Sequence, residues 1–530
     1  MDTSSNASAL ENTTANDLLS QLWQEIPQAE QRVYQLDRPT ECHELALPSG
    51  RTLYLKREDR SLVHSYKWRG AFNKMAALVE QGNRGPMVAA SAGNHAQGVA
   101  LSAAKLGVQA TIFMPRTTPE LKQAAVRRFG GPSVEVRLVG DNYDQAAHAA
   151  KEFLSQGGTY IHPFDDLHVI AGQATIGLEL ANQCQPDLVL LTIGGGGMTS
   201  GVASVLRRQF PNAKIVGVEA EGQHSMALSL SAGKPMSLDQ VNRFCDGTAV
   251  AVPGQLTFQL CSLLLDDVWL VNDREVCTAI EWLWDEVRSV VEPSAAIGVA
   301  AALATDPSTL IQRPQLEPLF ENLNLPANPK VLTVLSGANV DFLTLPTIAR
   351  KGRLSLKVKR YYQFEIPERS GTLISLLDQF MSDMNIIDFQ YGKTKADRAF
   401  PVIGVEGPEE EVVQFEEKMQ TMPLHFHPVT NSLTVEYRVV PFNTDLATYP
   451  VFATIEFPDR PGALREFMHR LTGKTNVCYF NYTETGQSVG QALMGFEFPS
   501  EEAREEFRQQ SHQLGVGFYE IPLADIAGLG

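Results

Sequence analysis

Paired cysteines are missing from this sequence. Its six (Cys42, Cys184, Cys245, Cys261, Cys277 and Cys478) are scattered and never form a CxxC. That spacing offers no zinc pattern and suits a reducing cytosol. Positive charge is short as well: 44 Lys and Arg stand against 61 Asp and Glu, a net charge of −17. Such a balance argues against nucleic acid or an anionic membrane as the main partner. An anionic ligand must then be held by local devices such as helix N-termini. Long apolar runs are also absent. Residues 290–304 come nearest to a membrane span, but Glu292, Pro293 and the shortness of the run exclude one. Before Arg32 there is no basic residue, and positions 1 to 17 are polar and rich in Ser, Thr and Asn. Residues 1–20 therefore read as a disordered tail, neither signal nor transit peptide, and a cytoplasmic protein is expected.

What is present is an alternation of apolar strands and amphipathic helices. Residues 43–58 look like a hairpin. Strands are expected at 87–91, 110–114, 134–139, 188–193, 214–219 and 330–335. Between them, helices are expected at 95–106, 119–129, 143–154, 168–182 and 200–210. Residues 220–305 read as mostly helical and 306–329 as a surface loop. This pattern implies α/β parallel sheet covered on both faces, with ligands at the carboxyl ends of the strands.

After about Lys359 the chain repeats itself. Ile366-Pro367-Glu368-Arg369-Ser370-Gly371-Thr372-Leu373 recurs as Phe457-Pro458-Asp459-Arg460-Pro461-Gly462-Ala463-Leu464. Asn385-Ile386-Ile387-Asp388-Phe389 recurs as Asn476-Val477-Cys478-Tyr479-Phe480, and Gly404-Val405-Glu406 as Gly495-Phe496-Glu497. Every pair is 91 positions apart, and chance matches would not share one register. Each copy reads as a ferredoxin-like βαββαβ unit.

Four stretches carry chemistry. In Ser65-Tyr66-Lys67-Trp68-Arg69-Gly70, Ser65 can cap a helix whose Phe72, Met75, Leu78 and Val79 face a core. Lys67 then lies in its first turn. The positive helix end disfavours its charge by about 0.3–1 kcal/mol. Burial can shift a lysine by about 3–5 pKa units, which makes desolvation the larger effect. A lysine neutralised this way is fit for a Schiff base; the plainer alternative is a snorkelling surface lysine. Gly194-Gly195-Gly196-Gly197-Met198 sits between a strand and a helix, where backbone N–H groups can meet a phosphate. It lacks the Lys-Ser/Thr ending of a nucleotide triphosphate loop and misses GxGxxG. Glu219 nevertheless ends the next strand, where a ribose-binding acid could lie, so a nicotinamide reading stays open on this stretch. Ser91-Ala92-Gly93-Asn94-His95 is a second strand-to-helix junction able to hold a carboxylate, or else an ordinary cap. Ser336-Gly337-Ala338-Asn339 follows a late strand and has a simple turn as its alternative. His162, Asp165, Asp166 and His168 could pass for a metal site, but loop residues of these types are common and no metal is expected.

A Schiff-base lysine, a phosphate cradle, a carboxylate loop and a late serine together describe pyridoxal phosphate bearing an amino acid. From about Leu53 to its end the chain resembles the fold-type II pyridoxal phosphate enzymes, and most closely the biosynthetic threonine deaminases. The landmarks are Leu55-Lys56-Arg57-Glu58-Asp59, Ser65-Tyr66-Lys67, Ser91 to Gly98, the four glycines, Glu292-Pro293-Ser294 and Ser336 to Asn339. The resemblance implies a catalytic domain over 21–350, built of two αβα subdomains, and ACT-like regulatory domains over 351–445 and 446–530. It implies that Lys67 holds the cofactor as an imine, that Gly194, Gly195, Gly196, Gly197 and Met198 hold its phosphate, that Asn94 approaches the ring 3-hydroxyl and that Ser336 bonds the pyridine nitrogen. Ser91, Gly93, Asn94 and His95 would grip the substrate carboxylate. The implied reaction converts L-threonine, and also L-serine, to ketoacid and ammonia in a homotetramer, with isoleucine as inhibitor and valine as activator. Gly371 and Gly462, each in a strand-to-helix loop, are the candidate effector positions. Trp68 and Ala295 depart from the family pattern, which bears on the pocket wall. A serine racemase or β-replacement synthase is the rival within the fold, and a non-catalytic amino-acid sensor the rival outside it.

Overall fold

The computed structural model describes residues 14–522 apart from 142, 156, 307–322, 353–357, 381–383, 422–424, 431, 433–434, 436–437, 439, 459–462, 472–474, 484–488 and 512–515. The expected loop at 306–329 thus lies largely outside the described residues. Two compact units divide the chain, Met1–Ser355 and Leu356–Gly530.

The first unit opens on helix α1 (Ala15–Val33), not on a tail reaching residue 20. Thr14 caps it by accepting from the Asp17 N–H, and Leu18, Leu19, Leu22 and Ile26 bury one face. The polar composition of the first residues hid this apolar stripe, which starts only at Leu18. Strands β1 (Cys42–Ala46) and β2 (Thr52–Arg57) form the expected hairpin. Helix α2 (Lys67–Glu80) follows. Then come β3 (Met87–Ala90), α3 (Asn94–Leu106), β4 (Ala110–Met114), α4 (Glu120–Gly130), β5 (Val134–Leu138), α5 (Tyr143–Leu154) and β6 (Thr159–Tyr160). These four strands make a parallel sheet in the order β5-β4-β3-β6.

The chain continues through α6 (Leu167–Gln183), β7 (Leu188–Thr192), α7 (Gly197–Gln209), β8 (Lys214–Ala220), α8 (Ser225–Ala232), α9 (Gln255–Leu264), β9 (Asp267–Val271), α10 (Asp273–Val287), α11 (Pro293–Ala304) and β10 (Val331–Leu335). A second sheet runs β1-β2-β10-β7-β8-β9, parallel except for the hairpin pair. Strand β9 was hidden among helices because five residues are too few for either period to show. Strands β7 and β10 are buried along their whole length, as a sheet covered on both faces requires. Helix α2 crosses α6 where Gly70 meets Gly172: a Cβ on Gly172 would lie 2.6 Å from the Gly70 Cα. That approach fixes where Lys67 stands.

In the second unit each copy shows the expected order. The first copy runs β11 (Val358–Pro367), α12 (Thr372–Phe380), β12 (Asn385–Gly392), β13 (Arg398–Ala399), β14 (Val402–Gly407), α13 (Glu409–Gln420) and β15 (His425–Pro428), with β13 as a short extra strand. The second runs β16 (Val451–Pro458), α14 (Ala463–Arg470), β17 (Asn476–Thr483), β18 (Val489–Glu497), α15 (Glu501–Gln510) and β19 (Gly517–Ile521). Antiparallel pairing of β12 with β17 joins the copies into one nine-stranded sheet. Both copies carry a β-bulge at the same point, between Ile386 and Asp388 and between Val477 and Tyr479. Gly371 has φ +87 and open space around its α-carbon, while Gly462 lies outside the described residues.

Candidate active site

The carboxyl ends of β3, β7 and β10 carry the Ser91, tetraglycine and Ser336 stretches. Lys67 is the first residue of α2, and its Nζ donates to the Pro163 carbonyl at 3.0 Å. Burial pushes its amine down to about 8, against a smaller upward pull from Glu292. The neighbouring Phe164 ring covers the glycines: a Cβ on Gly195 would fall 2.3 Å from it. Lys67 and the glycine turn are therefore linked through Pro163 and Phe164. On the other side of the turn Thr257 donates its hydroxyl to the Gly195 carbonyl at 2.7 Å.

Helix α7 starts inside the glycines, at Gly197, rather than at Ser200 as expected. Gly196 supplies the reason, since its φ of +88 lets the strand turn directly into the helix. Helix geometry leaves the N–H groups of Gly197, Met198 and Thr199 without intrahelical carbonyls. The Met198 side chain is buried in the core, so only its backbone faces the turn's chemistry. The Thr192 hydroxyl beneath the turn is buried without a partner.

Around Asn94 the remaining stretches converge. Asn94 Nδ2 donates to both oxygens of Glu292, at 2.8 and 3.1 Å, and its Oδ1 accepts from Asn339 Nδ2 at 2.7 Å. Ser65 and Gly337 form an isolated bridge, the Tyr66 N–H donates to the Ser336 carbonyl and the Ala338 N–H to His64. Ser336 is thereby held beside the start of α2. Burial raises the Glu292 carboxyl to about 7, reinforced by the charge of Asp246 and opposed by Asn94, Lys122 and Lys67. Glu292 stood in the sequence only as a landmark. Its signal was a lone acid before a proline in an otherwise apolar stretch, and only the fold shows what it faces.

Other expectations are corrected. Ser65 caps nothing: the strand-like bridge to Gly337 turns its hydroxyl inward, where it is buried and unpaired, and Tyr66 precedes the helix. Glu219 faces no ribose, because its carboxylate accepts the Met226 and Ala227 N–H groups at 2.9 and 2.8 Å and caps α8. Asp165 accepts from the N–H groups of Gln255, Leu256 and Thr257 at the start of α9, and Asp166 caps α6. The His95 ring is committed to the Ile161 carbonyl at 2.8 Å, and burial drives its pKa down to about 3, so it stays neutral. What residues 91–95 offer a carboxylate is the Ser91 hydroxyl, which accepts from the Gly93 N–H at 3.3 Å, and the N–H groups that open α3. Trp68 packs with Val33, Val63, Phe72, Ala76 and Leu101, and Ala295 lies inside the core around α11.

A second network was invisible in the sequence. Arg69 pairs with Glu58 at 2.8 Å and Glu179 at 2.5 Å, and Lys56 also reaches Glu179 at 2.5 Å, all four side chains being fully or almost fully buried. Burial alone would raise Glu179, but Arg69 and Lys56 override it and hold its carboxyl below the usual range. The pairs tie β2, the turn after it, α2 and α6 into the platform under Lys67.

An amine lowered to about 8, a helix N-terminus opened by glycines and a buried unpaired hydroxyl beneath it fit an aldehyde cofactor with a phosphate tail. Fold and site define a fold-type II pyridoxal phosphate enzyme. Residues 33–316 match the family of pyridoxal-phosphate dependent enzymes, and residues 351–439 and 449–522 match the C-terminal regulatory domain of threonine dehydratase. The chain is similar to the biosynthetic L-threonine dehydratase of Burkholderia multivorans, 36% identical over 92% of this chain and 95% of that protein. Among solved structures it resembles the processed threonine deaminase isoform 2 of Solanum lycopersicum (37% identity, TM-score 0.57, 63% of this chain and 88% of that one). It also resembles maize serine racemase (30% identity, TM-score 0.54, 62% of this chain and 96% of that one). The chain belongs to the biosynthetic threonine dehydratase family, and pyridoxal phosphate is its cofactor. Among the described residues no helix is long and apolar enough to cross a membrane.

Proposed function

We propose that this enzyme deaminates L-threonine, and L-serine as a second substrate, to the ketoacid and ammonia through Lys67. The amine's place beside the tetraglycine turn carries this reading. Bound at Lys67, pyridoxal phosphate supplies an electron sink for charge developing at the substrate α-carbon. The N–H groups at the start of α7 hold its phosphate, and Asn94 and Ser336 meet its ring. Residues 91–95 orient the substrate carboxylate. Lys67, freed and neutral, takes the α-proton at Nζ as general base. Burial favours that neutral form, because it lowers the amine from the ordinary lysine value to about 8.

The regulatory unit favours a controlled dehydratase over the racemase reading, since the Burkholderia relative shares nearly its whole length with this chain. Isoleucine as inhibitor and valine as activator, acting on the paired repeats of a homotetramer, complete the reading. The duplicated βαββαβ units supply two equivalent places for amino acids to distinguish two states. Six free cysteines fit a reducing cytoplasm. Measuring ketoacid release from threonine and serine, with and without isoleucine, tests the whole; full activity in Lys67→Ala would overturn it.

A further inference from the structure

Glu292 precedes α11 and is 5% exposed, the one acid in a run of buried residues with Val291, Pro293 and Ser294. Its backbone N–H donates to the Gly337 carbonyl at 3.3 Å, which anchors it against the Ser336 turn. Both of its oxygens meet Asn94 Nδ2, while Asn94 Oδ1 is held by Asn339, whose own Nδ2 also donates to the Val63 carbonyl at 2.8 Å. The amide is thus oriented from both ends. A flipped Asn94 would set its oxygen against a carboxylate and its nitrogen against another donor. The two oxygens of one carboxylate lie on the same side of the Asn94 nitrogen and share one of its two diverging hydrogens, so the second hydrogen is left to donate.

We propose that Glu292 is a positioning residue, fixing the Asn94 amide so that Nδ2 is the donor presented to the cofactor ring. This rests on the reading of Lys67 and Asn94 as cofactor-binding residues. The ionisable groups around Glu292 are Tyr66 and Lys67 at the start of α2, Cys245 and Asp246 in the loop before Thr248, and Lys122 of α4. Its negative charge also favours a protonated nitrogen at Lys67, and removing it should lower the pH at which that nitrogen titrates.

The test uses full-length enzyme loaded with pyridoxal phosphate, comparing wild type, Glu292→Gln, Asn94→Ala and the double variant. Cofactor dissociation is measured by equilibrium dialysis, and the pH midpoint of the visible absorption band by titration. Glu292→Gln is expected to weaken cofactor retention ~tenfold and to move the midpoint down by ~1 pH unit. In the Asn94→Ala background the affinity loss should shrink to under ~twofold, because the two act as one unit. Equal losses in both backgrounds, or an unmoved midpoint, would overturn the proposal. Should wild type take up no cofactor, or borohydride fix it away from Lys67, the underlying site reading fails instead. If Glu292→Gln does not fold, Glu292→Asp replaces it, keeping the charge but withdrawing the carboxylate. The midpoint should then stay while the affinity loss still depends on Asn94; an Asn94-independent loss overturns the proposal.

Discussion

Gln390 lies directly opposite Asn481 where β12 pairs with β17, and the two occupy the same position in their respective repeats. Phe389 faces Tyr482 and Tyr391 faces Phe480, so the pairing runs symmetrically outward from that point. Asp378 and His469, also equivalent, meet at 2.8 Å between α12 and α14. The copies are thus related by a pseudo-two-fold axis, and a change in one has a matched partner in the other.

That symmetry bears on regulation. A chain ending at Ser355, the boundary of the first unit, should keep threonine deamination and lose its response to isoleucine. Ketoacid release at rising isoleucine checks it; a truncated enzyme still inhibited would refute it. In the full chain, Phe389→Ala removes one ring of a pair whose centroids lie 4.4 Å apart. The regulatory unit should lose about 3–5 kcal/mol of stability, visible as a lower melting transition.

Cofactor uptake should depend on pH through Lys67. Imine formation needs the neutral amine, which is present above the pKa and lost below it. With that pKa pushed down to about 8, the rate at which apoenzyme takes up pyridoxal phosphate should climb with pH and level off above about 8. Stopped-flow absorbance would follow it. A rise continuing toward the ordinary lysine value of about 10.4 would mean the amine is not desolvated.

The buried network under α2 should be costly to break. Among the described residues, Glu179→Ala leaves Lys56 without a carboxylate partner and Arg69 with Glu58 as its one carboxylate, beside the Thr175 hydroxyl. A loss of about 3–5 kcal/mol is expected, read by thermal or denaturant unfolding of the first unit.

The glycine turn should tolerate no side chain. Gly196→Ala forces φ +88 on a residue with a Cβ and brings that atom 2.9 Å from the Thr257 Cβ. The strain alone costs about 1–2 kcal/mol, and cofactor retention should fall with it. Gly50→Ala, at a similar positive φ but with nothing within 4 Å, should lose stability and leave cofactor retention unchanged.

Much of this protein was written in local pattern. Alternating strands and helices, four consecutive glycines and a repeat at one offset mark the α/β unit, the turn that opens α7 and the doubled tail, because each depends on neighbours in sequence. Helix α1 is masked in the sequence because its apolar stripe follows a polar start, and β9 because it is too short to show a period. Ser65 illustrates the limit: its residue type suits a cap, but pairing with Gly337, distant in sequence, decided where its hydroxyl points.

Tertiary structure alone decided what surrounds each charge. Glu219 and Asp165 resemble ligand-binding acids in one dimension and are helix caps in three. Glu292, Asn94 and Asn339 are separated by many helices and strands, yet share one hydrogen-bonded chain. Sequence spacing carries backbone conformation and periodicity; desolvation and pairing are set by residues distant along the chain, and these lower Lys67 and raise Glu292.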